Sequence, residues 1–257
     1  MKYLSIETKN KIALLTLNRP QKHNAFDLEF LAELEKALQQ LRQDENARLL
    51  ILTGAGEKSF SSGVDLAALV QFQSIEEARK FALQLETTMT ALLRFPKPVI
   101  AAINGYAFGG GFGLASNADV RLLVDSAKIG FPAVRLGAIL PVGCTLRLNA
   151  LVGSGRSREL LLSGRIVEAN EALNIGLVNE ILPKSGLLTR AYEIAGEILK
   201  GSDLALEMTK QVTNQDLLVQ MEKYSVSAAE NFAYLAFTDD WKNRIQAFME
   251  NSSGSKK

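Results

Sequence analysis

Three consecutive glycines, Gly109-Gly110-Gly111, follow an apolar segment and open a stretch of helical character. The first N–H groups of a helix have no partner within it and lie at the positive end of its dipole, so they can face an anion or a polarised carbonyl. Glycine at such a turn also lets a ligand approach the backbone closely. A second turn, at Gly63-Val64 after Phe60-Ser61-Ser62, supplies another N–H. Two such donors make an oxyanion hole, which stabilises negative charge developing on a carbonyl oxygen. The same glycines also suit a tight turn that only permits close packing, and these residues alone leave both readings open. The run is not a dinucleotide fingerprint: Gly109-Gly110-Gly111-Phe112-Gly113 lacks the GxGxxG spacing, and no acidic residue follows at the end of a strand about 20 residues on to hold a ribose.

Few reactive side chains accompany these turns. His23, the single histidine, reads either as a general base with a pKa near neutrality or as a solvated loop residue. Cys144, the single cysteine, reads either as a reactive thiol or as a small side chain that fills a buried space. One cysteine excludes an intramolecular disulfide, and with one histidine it cannot build a structural zinc site. Arg135 and Ser62 are the other polar candidates, Arg135 equally readable as a surface or ion-pair residue.

Hydrophobic spacing predicts the elements that position these groups. Residues 4–8 and 12–17 alternate and are joined by Lys9-Asn10-Lys11, which predicts a hairpin. Asp27 is placed to cap a helix with Leu31, Leu34, Leu38 and Leu41 on one face. Residues 49–52, 99–103 and 120–124 are apolar runs of the kind found in strands buried on both faces. Ser74 with Glu77 matches a capping box for a helix running to about Leu93, and Pro96-Lys97-Pro98 ends it. Another helix runs from the triple glycine to Ala118, and strand-helix alternation continues past residues 178–181.

After Gly201 only helical periods remain, anchored by Leu204, Met208, Val212, Phe232, Leu235, Trp241, Ile245 and Phe248. This pattern predicts an α/β core over residues 1–200 and a helical C-terminal subdomain over 201–257. The tail over 252–257 is expected to be disordered.

Lys and Arg number 29 against 28 Asp and Glu, a net charge of +1, so no global field favours nucleic acid or an acidic membrane as a partner. Hydrophobic residues make up 47% of the 257, enough for a substantial core. Glu7 interrupts the apolar run that a signal peptide needs, and no window approaches the ~18 consecutive apolar residues of a membrane span. A cytoplasmic protein is expected.

In order and spacing, the chain resembles the crotonase (enoyl-CoA hydratase/isomerase) superfamily over residues 12–248. The resemblance rests on Asn18-Arg19-Pro20 with Asn24-Ala25, Ser62-Gly63-Val64-Asp65-Leu66, Lys97-Pro98-Val99-Ile100-Ala101-Ala102, Gly109-Gly110-Gly111, Arg147-Leu148, Leu162-Ser163-Gly164 and Gly176-Leu177-Val178-Asn179. It implies a crotonase-like spiral of ββα units that binds CoA thioesters and assembles as a homotrimer or hexamer. The implied oxyanion donors are the N–H groups of Val64 and Gly110. The implied CoA contacts are Lys22, Ala25 and Phe26 in one loop, with Lys22 pairing a phosphate, and Gly63, Asp65 and Leu66 in the other. Asp65 and Asp119 fall where the resemblance implies structural braces, and His23 falls beside the nucleotide end. No separate cofactor is expected, because the thioester, on CoA or an acyl carrier, is the substrate.

The chain departs from this pattern where hydratases of the superfamily carry two glutamates, which are Gly113 and Ala133 here. The position of an aspartate used by other members is Pro141. Neither Gly nor Ala can move a proton, so decarboxylase- or isomerase-type chemistry in fatty-acid metabolism is expected over hydration. A non-catalytic acyl-CoA binding or assembly subunit is the alternative.

Overall fold

The computed structural model describes residues 1–254. The opening segments pair as β1 (Leu4–Lys9) and β2 (Ile12–Leu17), antiparallel, with Leu4 opposite Leu17 and the turn residues Asn10 and Lys11 at positive φ. A 3-10 turn at Pro20–Lys22 leads to α1 (Leu28–Gln43), where the Phe30 N–H donates to the Asp27 carboxylate at 2.9 Å. Leu31, Leu34, Leu38 and Leu41 are all buried, as their spacing predicts.

Three turns of a spiral follow. The first holds β3 (Leu49–Gly54), β4 (Ser59–Ser61), the short α2 (Leu66–Leu69) and α3 (Ile75–Thr90). The second holds β5 (Val99–Ile103), β6 (Tyr106–Phe108) and α4 (Gly110–Ser116). The third holds β7 (Val120–Val124), β8 (Lys128–Gly130), a 3-10 turn at Pro132–Leu136 and α5 (Val142–Val152). The chain continues through α6 (Ser154–Ser163), β9 (Ile166–Glu168), α7 (Ala169–Asn174), β10 (Glu180–Leu182) and α8 (Leu187–Ile198). It ends in α9 (Asp203–Ala236) and α10 (Asp239–Gly254).

In each spiral turn the first strand joins a six-stranded sheet ordered β1-β2-β3-β5-β7-β10, and the second joins a four-stranded sheet ordered β4-β6-β8-β9. Every residue of β3 and β5 is buried, which explains their unbroken apolar runs. Register is tight: Ile51 pairs with Ile100, and Ala101 with Arg121. The small sheet is not foreseen as a sheet, because its strands are three residues long and carry no period to read.

Several boundaries differ from expectation. The helix begun at Ser74 ends at Thr90 rather than near Leu93. The Ser74 hydroxyl accepts the Glu77 N–H at 3.2 Å, and the Glu77 carboxylate in return accepts the Gln73 N–H at 2.8 Å. The strand expected over 178–181 begins at Glu180. The expected disorder from residue 252 is corrected in part: α10 continues through Gly254, while residues 255–257 lie outside the described residues.

α9 packs on α3 and α5, and α10 folds back onto the 3-10 turn at Pro132–Leu136. Trp241 is 1% exposed, with its ring edge-on to Phe232 at 5.3 Å between centroids. Phe232, Trp241 and Ile245 therefore anchor the helical segment to its own core. Among the described residues, no helix is long and apolar enough to cross a membrane.

One buried ion pair ties α9 to the start of β5. The Lys210 ammonium donates to Asp119 Oδ2 at 2.7 Å and to the Lys97 carbonyl at 3.0 Å, and Asp119 Oδ2 also accepts the Val99 N–H at 2.7 Å. Burial holds the Lys210 pKa below its usual value, and Asp119 opposes that shift. Removing one partner of such a pair leaves the other charge poorly solvated. Lys210→Met should therefore destabilise the fold by about 2–3 kcal/mol, at or below the low end for buried pairs because Asp119 is partly exposed. Urea unfolding should show a lower midpoint at an unchanged slope.

Candidate functional site

β4, β6 and β8 run parallel, and the predicted site residues gather at their carboxyl ends. Gly63-Val64 follows β4, Gly109-Gly110 follows β6, and Ala133 lies just past β8. Open parallel sheets bind ligands in the crevice outside the carboxyl ends of their strands. The Gly109 N–H donates to the Gly130 carbonyl at 2.8 Å, tying the glycine turn to the strand that leads to Ala133.

The two turns meet backbone to backbone. A Cβ built on Gly63, where φ is 88°, would lie 2.7 Å from the Phe108 carbonyl oxygen and 2.9 Å from the Gly110 nitrogen. Only glycine fits this contact. Among the described residues, no protein acceptor receives the Val64 N–H or the Gly110 N–H. Both are candidate donors to a ligand.

A buried polar network sets the approach. Asn24, fully buried at φ 55°, donates through Nδ2 to the carbonyls of Ala55, Ser59 and Phe60 at 3.0–3.1 Å, and its Oδ1 accepts the Arg19 N–H at 2.9 Å. The Ser61 hydroxyl donates to the Asn24 carbonyl at 2.8 Å and accepts the Gly63 N–H at 3.1 Å. Arg19 pairs with Asp27 at 3.1 Å and Asp65 at 3.3 Å, and Asp65 also accepts the Ala67 N–H at the start of α2. Asp65 is thus a brace, as is Asp119.

The loop carrying Lys22, Ala25 and Phe26 does not form an open groove with the turn carrying Gly63, Asp65 and Leu66. A parallel bridge joins Phe26 to Val64: the Phe26 N–H donates to the Gly63 carbonyl at 2.8 Å, and the Asp65 N–H donates to the Phe26 carbonyl at 2.7 Å. The Ala25 and Phe26 side chains are buried, Phe26 against Phe30. The open space lies alongside, a cleft of about 540 Å³ lined by Asp27, Leu28, Ala68, Phe72, Lys80 and Phe81, among others. Lys22 and His23 are exposed on the loop, with His23 Nδ1 3.2 Å from the Ser59 hydroxyl. Leu66 and Val64 are half-buried.

At the other end, a Cβ on Gly113 would meet Cys144 Sγ at 2.6 Å. Cys144 is fully buried, and burial, reinforced by Glu86, pushes its thiol well above the usual range. Its burial against Gly113 fits the space-filling reading of Cys144. Ala133 is half-buried in the 3-10 turn, Phe112 and Phe131 are buried edge to face at 5.4 Å, and half-buried Phe108 stacks on Tyr106 at 5.8 Å. Arg135 is exposed and donates to the Ser163 carbonyl at 3.0 Å. Among the described residues, no group of three His, Cys, Asp or Glu is placed to hold a metal.

The residue pattern assigns no role to Arg19, Asn24 or Ser61 and does not mark Glu86 as functional. The available sign was a glutamate within the inward stripe Ala78, Ala82, Leu85, Met89 of α3. The Gly143 N–H donates to Glu86 Oε1 at 2.9 Å. Burial raises the Glu86 pKa, opposed by the Gly143 and Val142 N–H groups.

Residues 7–255 match the family model described as enoyl-CoA hydratase/isomerase. The chain is 36% identical to the short-chain-enoyl-CoA hydratase of Clostridium acetobutylicum over 95% of its own length and 94% of that protein. It is 37% identical to a crotonyl-CoA hydratase of Syntrophomonas wolfei over the same shares. Among solved structures, an enoyl-CoA hydratase from Bacillus anthracis superposes with a TM-score of 0.79 at 35% identity, covering 97% of this chain and 96% of that one. Human mitochondrial delta3-delta2-enoyl-CoA isomerase superposes with a TM-score of 0.92 at 25% identity, covering 99% and 100%. With its spiral of ββα turns and helical C-terminal region, the chain belongs to the enoyl-CoA hydratase/isomerase (crotonase) family.

Proposed function

We propose that this protein holds the carbonyl oxygen of a CoA or acyl-carrier thioester on the N–H groups of Val64 and Gly110, and uses them to stabilise an enolate. The observation that carries this reading is the pair of backbone donors from two abutting turns, neither engaged by the protein. Preorganised donors aimed at developing charge supply much of the catalysis at such sites. Hydration also needs groups that take a proton from water and deliver one to carbon, and positions 113 and 133 offer only Gly and Ala. Decarboxylation of a malonyl-type thioester suits what remains: the C–C bond breaks, CO₂ leaves, and the electron pair passes to the thioester oxygen without a starting base. Double-bond isomerisation is the second reading, favoured by the buried Glu86 carboxyl beside Cys144.

The protein also assembles through α9 in this reading. Leu204, Met208, Val212, Val219 and Val226 are each at least half exposed and lie within a helical face about 80° wide. An apolar stripe of that length marks a contact surface, here between copies of the chain in a trimer or hexamer.

Crotonyl-CoA should bind while turning over about 10⁴-fold or more below a hydratase carrying both glutamates, with the loss in kcat rather than KM. A hydratase-like rate in purified protein would overturn the reading, and mass spectrometry of malonyl-type thioesters tests its positive half. Introducing Gly113→Glu with Ala133→Glu alone should destabilise the fold by about 1–3 kcal/mol, because the new side chain meets Cys144 Sγ. Adding Cys144→Gly should recover stability and raise crotonyl-CoA hydration above the parent, as read by thermal melts and a hydration assay. Sedimentation should give a trimer or hexamer, and Val212→Glu should shift it to smaller species without unfolding the chain; a monomeric wild type at micromolar concentration would contradict the assembly.

A further inference from the structure

Among the described residues, Glu86 is the one acidic side chain buried to nine-tenths, at 8% exposure. It lies on α3 against the start of α5, where the Gly143 N–H meets it at 2.9 Å. Its place relative to the acyl end follows from three contacts. Asn117 Nδ2 donates to both the Gly113 and Met89 carbonyls at 3.0 Å, which locks α4 to α3 one turn from Glu86. Cys144, the neighbour of Gly143, fills the space over Gly113. Glu86 and Pro141 also line the same narrow cavity, about 20 Å³, together with Leu85, Leu140 and Phe232. That volume holds roughly one water molecule. The carboxyl therefore borders this water-sized space beside Pro141, and on its other side a surface cleft of about 250 Å³ shared with Thr90, Arg94 and Glu222.

A helix cap alone does not require a carboxyl there. An amide would accept the Gly143 N–H equally well and would carry no ionisable group into the core. What a buried carboxyl adds is a proton that can leave and return. Burial raises its pKa above the ordinary carboxylate value, against the lowering pull of the Gly143 and Val142 N–H groups.

We propose that Glu86 is the proton carrier of this site, exchanging the α-proton of a thioester held at Val64 and Gly110. In the forward step the α-carbon C–H bond breaks as an O–H bond forms on Glu86, and the electron pair passes to the thioester oxygen. In the return step the carboxylic acid gives its proton back to carbon, and the enolate collapses to the thioester. The cycle needs no further reactant. It serves the isomerase reading directly; after a decarboxylation the protonated carboxyl gives the closing proton to carbon and takes its next proton from water. The proposal rests on the thioester reading above.

The test uses the full chain and 3-butenoyl-CoA in D₂O, with deuterium uptake at C2 followed by mass spectrometry and affinity measured by calorimetry. Wild type should take up deuterium. Glu86→Gln should lower the rate by about 10²-fold or more while affinity stays within about twofold, a split that loss of a cap alone would not produce. Glu86→Asp keeps a carboxyl and should retain part of the rate, so a misfolded Gln variant would not remove the test. Exchange by Glu86→Gln at the wild-type rate, or tight binding by wild type with no exchange, would overturn the assignment and leave the thioester reading standing. Absence of binding would overturn both.

Discussion

At Gly63 and Gly110 two turns from different strands meet with no side chain between them, and a methyl group on Gly63 would strike the Phe108 carbonyl. Beside this contact the Val64 and Gly110 N–H groups have no protein acceptor, which leaves both able to meet a ligand. Much of the surrounding structure holds it in place. The small parallel sheet brings the ends of β4 and β6 together, Asn24 and Ser61 lock the first turn, and α4 begins at the second. The Arg19 pairs with Asp27 and Asp65 fasten the neighbouring loop, so the donors are set before any ligand arrives.

The acyl end shows what a backbone site permits. Donors supplied by the main chain survive side-chain substitution, so the residue types at 113 and 133 leave the Val64 and Gly110 N–H groups in place. The exchange at Gly113 is coupled to its surroundings: the Cys144 thiol occupies the volume that a side chain at 113 would need. The two positions act as one packing unit, with substitutions that are not additive. Positions 113 and 133 carry no carboxyl, and among the described residues Glu86 of α3 is the buried acid.

Much of this was legible in the residue pattern. Long strands such as Leu49–Gly54 announce themselves by unbroken apolar runs, and the caps at Asp27 and Ser74 follow from local hydrogen-bond chemistry. The four-stranded sheet was not legible, because three residues cannot show a period of two against noise. The glycine turns marked the site, but their meeting at Gly63 and Gly110 is a tertiary fact with no local trace. The loop that the resemblance implies as a CoA contact is sewn to its neighbour through Phe26 and Val64, a pairing between residues 38 apart. Glu86 escaped notice because an acid on a helix is ordinarily solvated, and only the packing of α5 and α9 around α3 buries it.

Donation by Val64 and Gly110 to a thioester oxygen is read most directly by infrared difference spectroscopy of an acyl-CoA carrying a ¹³C-labelled thioester carbonyl. Two hydrogen bonds to that oxygen polarise the C=O bond. The isotope-shifted carbonyl band is expected to move to lower frequency on binding, relative to the same ligand in water. A bound ligand whose carbonyl band stays at or above its position in water would contradict it.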